Sequence, residues 1–149
     1  MLHIYVDADA CPVKDEVIDI STQLSISTIM VASLSHRLEV REGVGVVTVD
    51  NSFQEADMAI INRTERGDVV VTDDYGLASL VLGKGGHPIS FRGRPFTDRN
   101  IAPLLEARHL KAKERRAGLK TRGPRRFSQS DREAFTRGVK ALVGELREK

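Results

Sequence analysis

The amino-acid sequence predicts an α/β fold: a three-layer domain with a central parallel sheet of about five strands flanked by helices, followed by a basic C-terminal helical extension. Short β-branched runs alternate with segments of helical periodicity, the pattern of strand–helix–strand units joined by right-handed crossovers. Val69-Val70-Val71-Thr72 is β-branched throughout, as suits a strand buried on both faces of a parallel sheet. The chain has 149 residues, 40% of them hydrophobic, which fits one compact domain with a short appendage.

Residues 3–6, His-Ile-Tyr-Val, read as a buried strand that stops at Asp7. Pro12 suits the first turn of a helix, and Val17, Ile18 and Leu24 continue it at helical spacing. Residues 28–32 form a second strand, residues 34–43 an irregular polar stretch, and residues 44–49 a third strand. A second helix is expected from Phe53 to Arg66, stopped by Gly67. The fourth strand, residues 69–72, ends at Asp73-Asp74 and leads into a short helix to about residue 82. Gly83-Lys84-Gly85-Gly86 is a turn, and residues 87–91 an edge-type strand. Residues 100–119 read as a long helix, apolar early and basic late, and residues 120–126 as a linker. Ser128 or Ser130 caps a last helix, Ser130 and Glu133 having capping-box spacing. Phe135, Val139, Leu142 and Leu146 give that helix one apolar stripe, which must dock on something. The expected division is residues 1–104 for the α/β domain and 105–149 for the extension.

Cys11 stands alone, which excludes an internal disulfide and Cys-based zinc frameworks, and it reads as a structural residue. No apolar run approaches the ~20 residues of a membrane span. The first residues lack the features of a signal peptide, so a soluble cytoplasmic protein is the expectation. The net charge of +2 hides an asymmetry. Residues 1–104 carry 15 acidic and 9 basic side chains, whereas residues 105–149 carry 6 and 14. Arg108, Lys111, Lys113, Arg115, Arg116, Lys120, Arg122, Arg125 and Arg126 face only Glu114 within residues 108–126. Such a segment suits phosphate-rich partners, and the competing reading is a solvated helix face. It contains no Phe, Tyr or Trp, so by itself it offers no platform for stacking bases.

In open parallel sheets ligands bind beyond the carboxyl ends of the strands, where strand order reverses. Three predicted strands end in carboxylates: Asp7 with Asp9, Asp50, and Asp73 with Asp74. Asp50 is expected to cap the helix after it. Asp57 falls on its helix between Ile60 and Ile61 and close to Phe53, inside an apolar stripe, where a carboxylate must find a partner or shift its pKa. If Asp7, Asp57 and Asp74 converge, their repulsion calls for a cation. All-oxygen ligands select Mg²⁺ or Mn²⁺, and such a site points to phosphate chemistry. His3, His36, His87 and His109 show no paired ligand spacing.

Val6-Asp7-Ala8-Asp9-Ala10-Cys11-Pro12, Glu55-Ala56-Asp57-Met58-Ala59-Ile60, the run from Gly67 to Ala78, Phe91-Arg92-Gly93, and Gly123-Pro124 with Asp131-Arg132 and Phe135 together resemble the YaiI/YqxD family of bacterial proteins. The resemblance covers nearly the whole chain. That family is similar in turn to the PIN-like nuclease superfamily, whose members hold Mg²⁺ or Mn²⁺ with a few carboxylates and cut RNA. The resemblance implies a PIN-like domain in which Asp7, Asp57 and Asp74 are the catalytic acids and metal ligands, with Asp9 and Asp73 as further candidates. Ser33 stands where part of the family has Asn, and the basic extension is not a standard PIN feature.

The favoured reading is a metal-dependent nuclease that hydrolyses RNA phosphodiesters with a carboxylate-bound Mg²⁺ or Mn²⁺. Two alternatives stand beside it. One is a non-catalytic RNA-binding module of the same fold. The other is a phosphatase with Asp7 as nucleophile, because strand then Asp-x-Asp resembles the opening motif of haloacid dehalogenases. Lys84 follows the last acidic pair instead of preceding it, and Pro12 directs the chain into a helix, both of which argue against the phosphatase.

Overall fold

The computed structural model describes residues 1–34, 41, 43–52, 54–121, 123 and 125–148. The readings made at Phe53, His36, Arg122 and Pro124, and over most of residues 34–43, lie outside them. The chain forms a five-stranded parallel sheet with helices on both faces. The strands are β1 (His3–Asp7), β2 (Ser27–Ser33), β3 (Val44–Val49), β4 (Val69–Val71) and β5 (His87–Ile89), in the order β3-β2-β1-β4-β5. Every pairing between them is parallel. The chain builds outward from β1 through β2 to β3, then crosses back to place β4 on the other side of β1. The switch point therefore lies between β1 and β4.

Helix α1 (Lys14–Leu24) links β1 to β2, α2 (Glu55–Arg63) links β3 to β4, and α3 (Tyr75–Gly83) links β4 to β5. Right-handed crossovers running in opposite directions along the sheet put their helices on opposite faces. Side chains of β1 divide accordingly. Ile4 and Val6 enter a core shared with Val13, Val17 and Ile20 around α1. Tyr5 enters a second core with Ile60 of α2 and with Leu77 and Val81 of α3. Helix α4 (Asp98–Arg116) lies against α3 through Ile101, Phe96 and Ala78.

Helix α5 (Gln129–Glu148) belongs to the first core: Phe135, Val139, Leu142 and Val143 are buried there with Leu146 partly buried beside them. Each such side chain contributes about 1.5–3 kcal/mol by leaving water. A line drawn at residue 104 falls within α4. Several residues of the sequence motifs lock α5 down. The buried carboxylate of Asp131 accepts two hydrogen bonds from Arg125, at 2.6 and 3.1 Å, and lies 3.5 Å from Arg92 Nε. Arg132 donates to the Pro12 carbonyl and to Glu16, tying α5 to the start of α1. The guanidinium groups of Arg92 and Arg132 both lie over the Phe127 ring, each 5.3 Å from its centroid.

Several boundaries differ from expectation. Helix α2 begins at Glu55, because Gln54 adopts a left-handed conformation (φ 65°), and it ends at Arg63, where Thr64 turns extended. The capping box of α5 is Ser128 with Asp131, not Ser130 with Glu133. The Asp131 amide donates to Ser128 Oγ at 3.3 Å, and the Ser128 amide donates to the Asp131 carboxylate at 2.9 Å. The same carboxylate, at the third helical position, also receives Arg125.

Gly93, at φ 81°, lies against Gly138 of α5 so closely that a methyl group on Gly138 would stand 2.3 Å from the Gly93 carbonyl oxygen. Gly144, on the same helix, has open space around its Cα. Alanine is the better helix former by about 1 kcal/mol. We expect Gly144→Ala to stabilise the protein by up to that amount. Gly138→Ala should instead destabilise it by roughly 1–3 kcal/mol, since overpacking outweighs propensity. Urea denaturation of the two variants checks the opposite signs.

Candidate active site

Because all five strands run the same way, their carboxyl ends meet at one edge of the sheet, and the acids collect there. A cleft of about 750 Å³ at this edge is lined by Asp9, Ser33, Asp50, Asp57, Asp74 and Arg108, among others. Asp7, the last residue of β1, is more deeply set. Its carboxylate accepts a hydrogen bond from the Thr72 hydroxyl at 3.0 Å, and the same hydroxyl oxygen accepts from the Asp74 amide at 3.0 Å. Thr72 is fully buried, and it joins the end of β1 to the turn that opens α3. Sequence reasoning did not single it out; the available signal was one hydroxyl at the end of an otherwise apolar strand.

Asp74 is the N-cap of α3, its Oδ1 accepting from the Leu77 amide at 3.1 Å. One of its oxygens therefore also does the structural duty expected of Asp at that position. Arg108 of α4 reaches to 3.8 Å from the same oxygen. Asp9 accepts from the Ser33 amide at 2.8 Å, joining the loop after β1 to the end of β2. Asp73 accepts from the Phe91 amide at 2.8 Å and so ties the end of β4 to the segment after β5. Asp50 does not cap a helix. With α2 starting at Glu55, it stands exposed on the cleft wall, an acid that the sequence reading had assigned elsewhere.

The acids act on one another's charge. Burial pushes the Asp7 carboxyl above its usual value, the Thr72 hydrogen bond draws it back, and the charges of Asp74, Asp9 and Asp73 push it up again. Burial, followed by the charges of Asp74 and Asp7, pushes the Asp57 carboxyl up to about 6. Asp57 is only half-buried, next to the fully buried Ile60 on α2. The donor set is carboxylate oxygen, with a hydroxyl beside it, and its chemistry fits Mg²⁺ or Mn²⁺. Among the described residues, no three carboxylate, histidine or cysteine groups stand close enough to cage a metal ion. Asp9, Asp50, Asp57 and Asp74 line one cleft without closing a cage.

The other candidates take other places. Cys11 is buried, which with neighbouring acids pushes its thiol up to about 12 despite the Val13 amide and Lys14, so it is no nucleophile. Lys84 donates to the Ile61 carbonyl at 2.6 Å, beyond the far end of α3. Nine helical residues, about 13 Å, separate that position from the acids. Arg108, Lys111 and Arg115 line a second groove. Lys113, Arg116, Lys120 and Arg126 are exposed, and Arg125 is engaged by Asp131. Among the described residues no helix is long and apolar enough to cross a membrane.

The model of the uncharacterised bacterial YaiI/YqxD family matches residues 5–145. The chain belongs to that family. A UPF0178 protein of Bacillus anthracis is 42% identical over 144 residues, covering 95% of this chain and 99% of its own. A UPF0178 protein of Oceanobacillus iheyensis is 43% identical over 136 residues, covering 90% and 93%. Among solved structures, Rae1 (YacP) from Bacillus subtilis aligns over 99% of both chains at 15% identity, with a TM-score of 0.44.

Asp57 carries a titration prediction for the metal-free protein. Its folded pKa lies above the unfolded value, so the folded state holds the extra proton between the two. Stability is then greatest below the unfolded pKa and is lost as pH rises through about 6. In chelator, the melting temperature should rise as pH falls from 7.5 to 5. Asp57→Asn should flatten that rise and melt about 2–4 °C higher at pH 7.5. This corresponds to roughly 1 kcal/mol after discounting for solvent screening. Thr72→Val, which removes the shared hydroxyl, should cost roughly 1–3 kcal/mol in urea denaturation.

Proposed function

We propose that this protein is a metal-dependent nuclease that hydrolyses phosphodiester bonds of RNA. The observation that carries the reading is the gathering of Asp57 and Asp74 in one cleft at the carboxyl edge of the sheet, with Asp7 tied through the Thr72 hydroxyl to the Asp74 backbone. The charges of Asp74 and Asp7 act on the Asp57 carboxyl and push it up. Folds tolerate such repulsion when a cation relieves it. No three described groups are set to cage an ion, so Asp7, Asp57 and Asp74 would have to draw together to hold Mg²⁺ or Mn²⁺. Asp9 and Asp73 fix the loops on either side through their backbone hydrogen bonds. A bound divalent cation supplies charge neutralisation at a phosphate and activation of water.

The chain's own residues supply the rest. Thr72 holds Asp7 in place and keeps one of its oxygens hydrogen-bonded. Arg108, at the cleft wall, offers a guanidinium fork suited to a phosphate. The position of Lys84 leaves a phosphatase reading without its lysine.

Millimolar Mn²⁺ should raise the melting temperature of the wild type through preferential binding to the folded state. Asp74→Asn should lose most of that rise while keeping the helix cap, since asparagine caps as well as aspartate. Wild type with Mn²⁺ should cut a long single-stranded RNA internally and leave para-nitrophenyl phosphate intact, and Asp57→Asn should stay folded and inactive. A melting curve indifferent to Mn²⁺, with no RNA turned over, would remove the nuclease reading and leave RNA binding alone.

A further inference from the structure

A second groove, of about 580 Å³, opens beside the acidic cleft, between α4 and the segment that follows β5. Arg94 lines one wall, Arg108, Lys111 and Arg115 line the other, and Tyr75 and Phe96 contribute aromatic surface. The three cations of α4 sit at i, i+3 and i+7, one face of the helix, along roughly 10 Å. Arg94 and Lys111 make no side-chain hydrogen bond or ion pair with another described residue, so their charges are available to a ligand. Arg92, by contrast, is committed to Asp131 and to the Arg125 carbonyl. Arg108 lines both the groove and the cleft, and Asp74 and Tyr75 are consecutive residues facing one each.

A row of cations beside an aromatic ring is the combination that single-stranded nucleic acids use, phosphates on the charges and a base on the ring. Tyr75 is half-buried, and its ring meets Phe96 edge-on with centroids 5.6 Å apart, which fixes it in place. A duplex keeps its base faces covered, so only an unpaired base can stack there. We propose that this groove carries the backbone of single-stranded RNA to the acidic cleft, with one base stacked on Tyr75 beside the phosphate that Asp74 faces. The groove's binding role stands on its own residues; only the fate of the strand at the cleft rests on the nuclease reading.

The test uses the full chain in chelator, so that cleavage plays no part. Fluorescence anisotropy compares a labelled RNA strand about 12 nucleotides long, its duplex, and an abasic strand of the same length. Wild type should bind the strand roughly tenfold more tightly than either the duplex or the abasic strand. Tyr75→Leu should lose that tenfold for the base-bearing strand only, and Tyr75→Phe should keep it. An unchanged abasic affinity shows that the groove of Tyr75→Leu is intact. Replacing Arg94 and Lys111 together by Ala, surface changes that the fold tolerates, should weaken both strands alike. It should also reduce the log–log salt slope by about 1.4. Equal affinity for duplex and strand, or unchanged binding in the Arg94/Lys111 variant, overturns the proposal. Binding as described without cleavage in Mn²⁺ leaves the groove standing and removes the nuclease. Cleavage with unaltered binding in the groove variants does the reverse.

Discussion

Parallel pairing is the constraint from which the site follows. When β1 is hydrogen-bonded in the same direction to β2 on one side and β4 on the other, the chain must leave the sheet at one edge after every strand. Loops gather there, and their backbone groups need partners. Short acidic side chains provide them: Asp9 for the Ser33 amide, Asp73 for the Phe91 amide, Asp74 for the Leu77 amide. The same edge that needs carboxylates to satisfy its loops thereby accumulates negative charge. A structural demand and a chemical opportunity share the same atoms.

The concentration of charge is controlled by burial and by a single hydroxyl. Thr72 lies one residue beyond the last pairing of β4 with β1, alongside Asp7. Its position in the β register brings it to Asp7, and its acceptance of the Asp74 amide fixes the turn into α3. Among the described residues Asp57 accepts no such hydrogen bond, and its described neighbours on α2 are mostly apolar. It is accordingly the acid whose carboxyl is pushed furthest up, to about 6, by burial and by the charges of Asp74 and Asp7.

The sheet, its five strands and their helices were legible because β-branched runs and helical spacing record burial directly. The five acids were legible as strand ends or as a breach in an apolar stripe. What sequence could not convey depends on local backbone geometry or on distant chain segments meeting. Asp50 resembled a helix cap until the left-handed Gln54 delayed α2. Arg125 looked like any other cation of a basic arm, yet Asp131 engages it. The arm of residues 108–126 has no Phe, Tyr or Trp of its own, and only the packing of α4 on α3 brings Tyr75 and Phe96 beside it.

Helix α5 has a consequence for how the chain is made. It completes the core that holds Ile4 and Val6 of β1, and Phe135 is the largest fully buried side chain there. More than a hundred residues are synthesised between those β1 side chains and the α5 side chains that join them. At about 5–20 residues per second, that core waits roughly 7–26 s to be completed. Such long-range closure is slow for entropic reasons as well. The nascent chain therefore emerges with a finished edge for ligands and an unfinished core. Its exposure to holdase chaperones is set by the last helix, the element farthest in sequence from the acids.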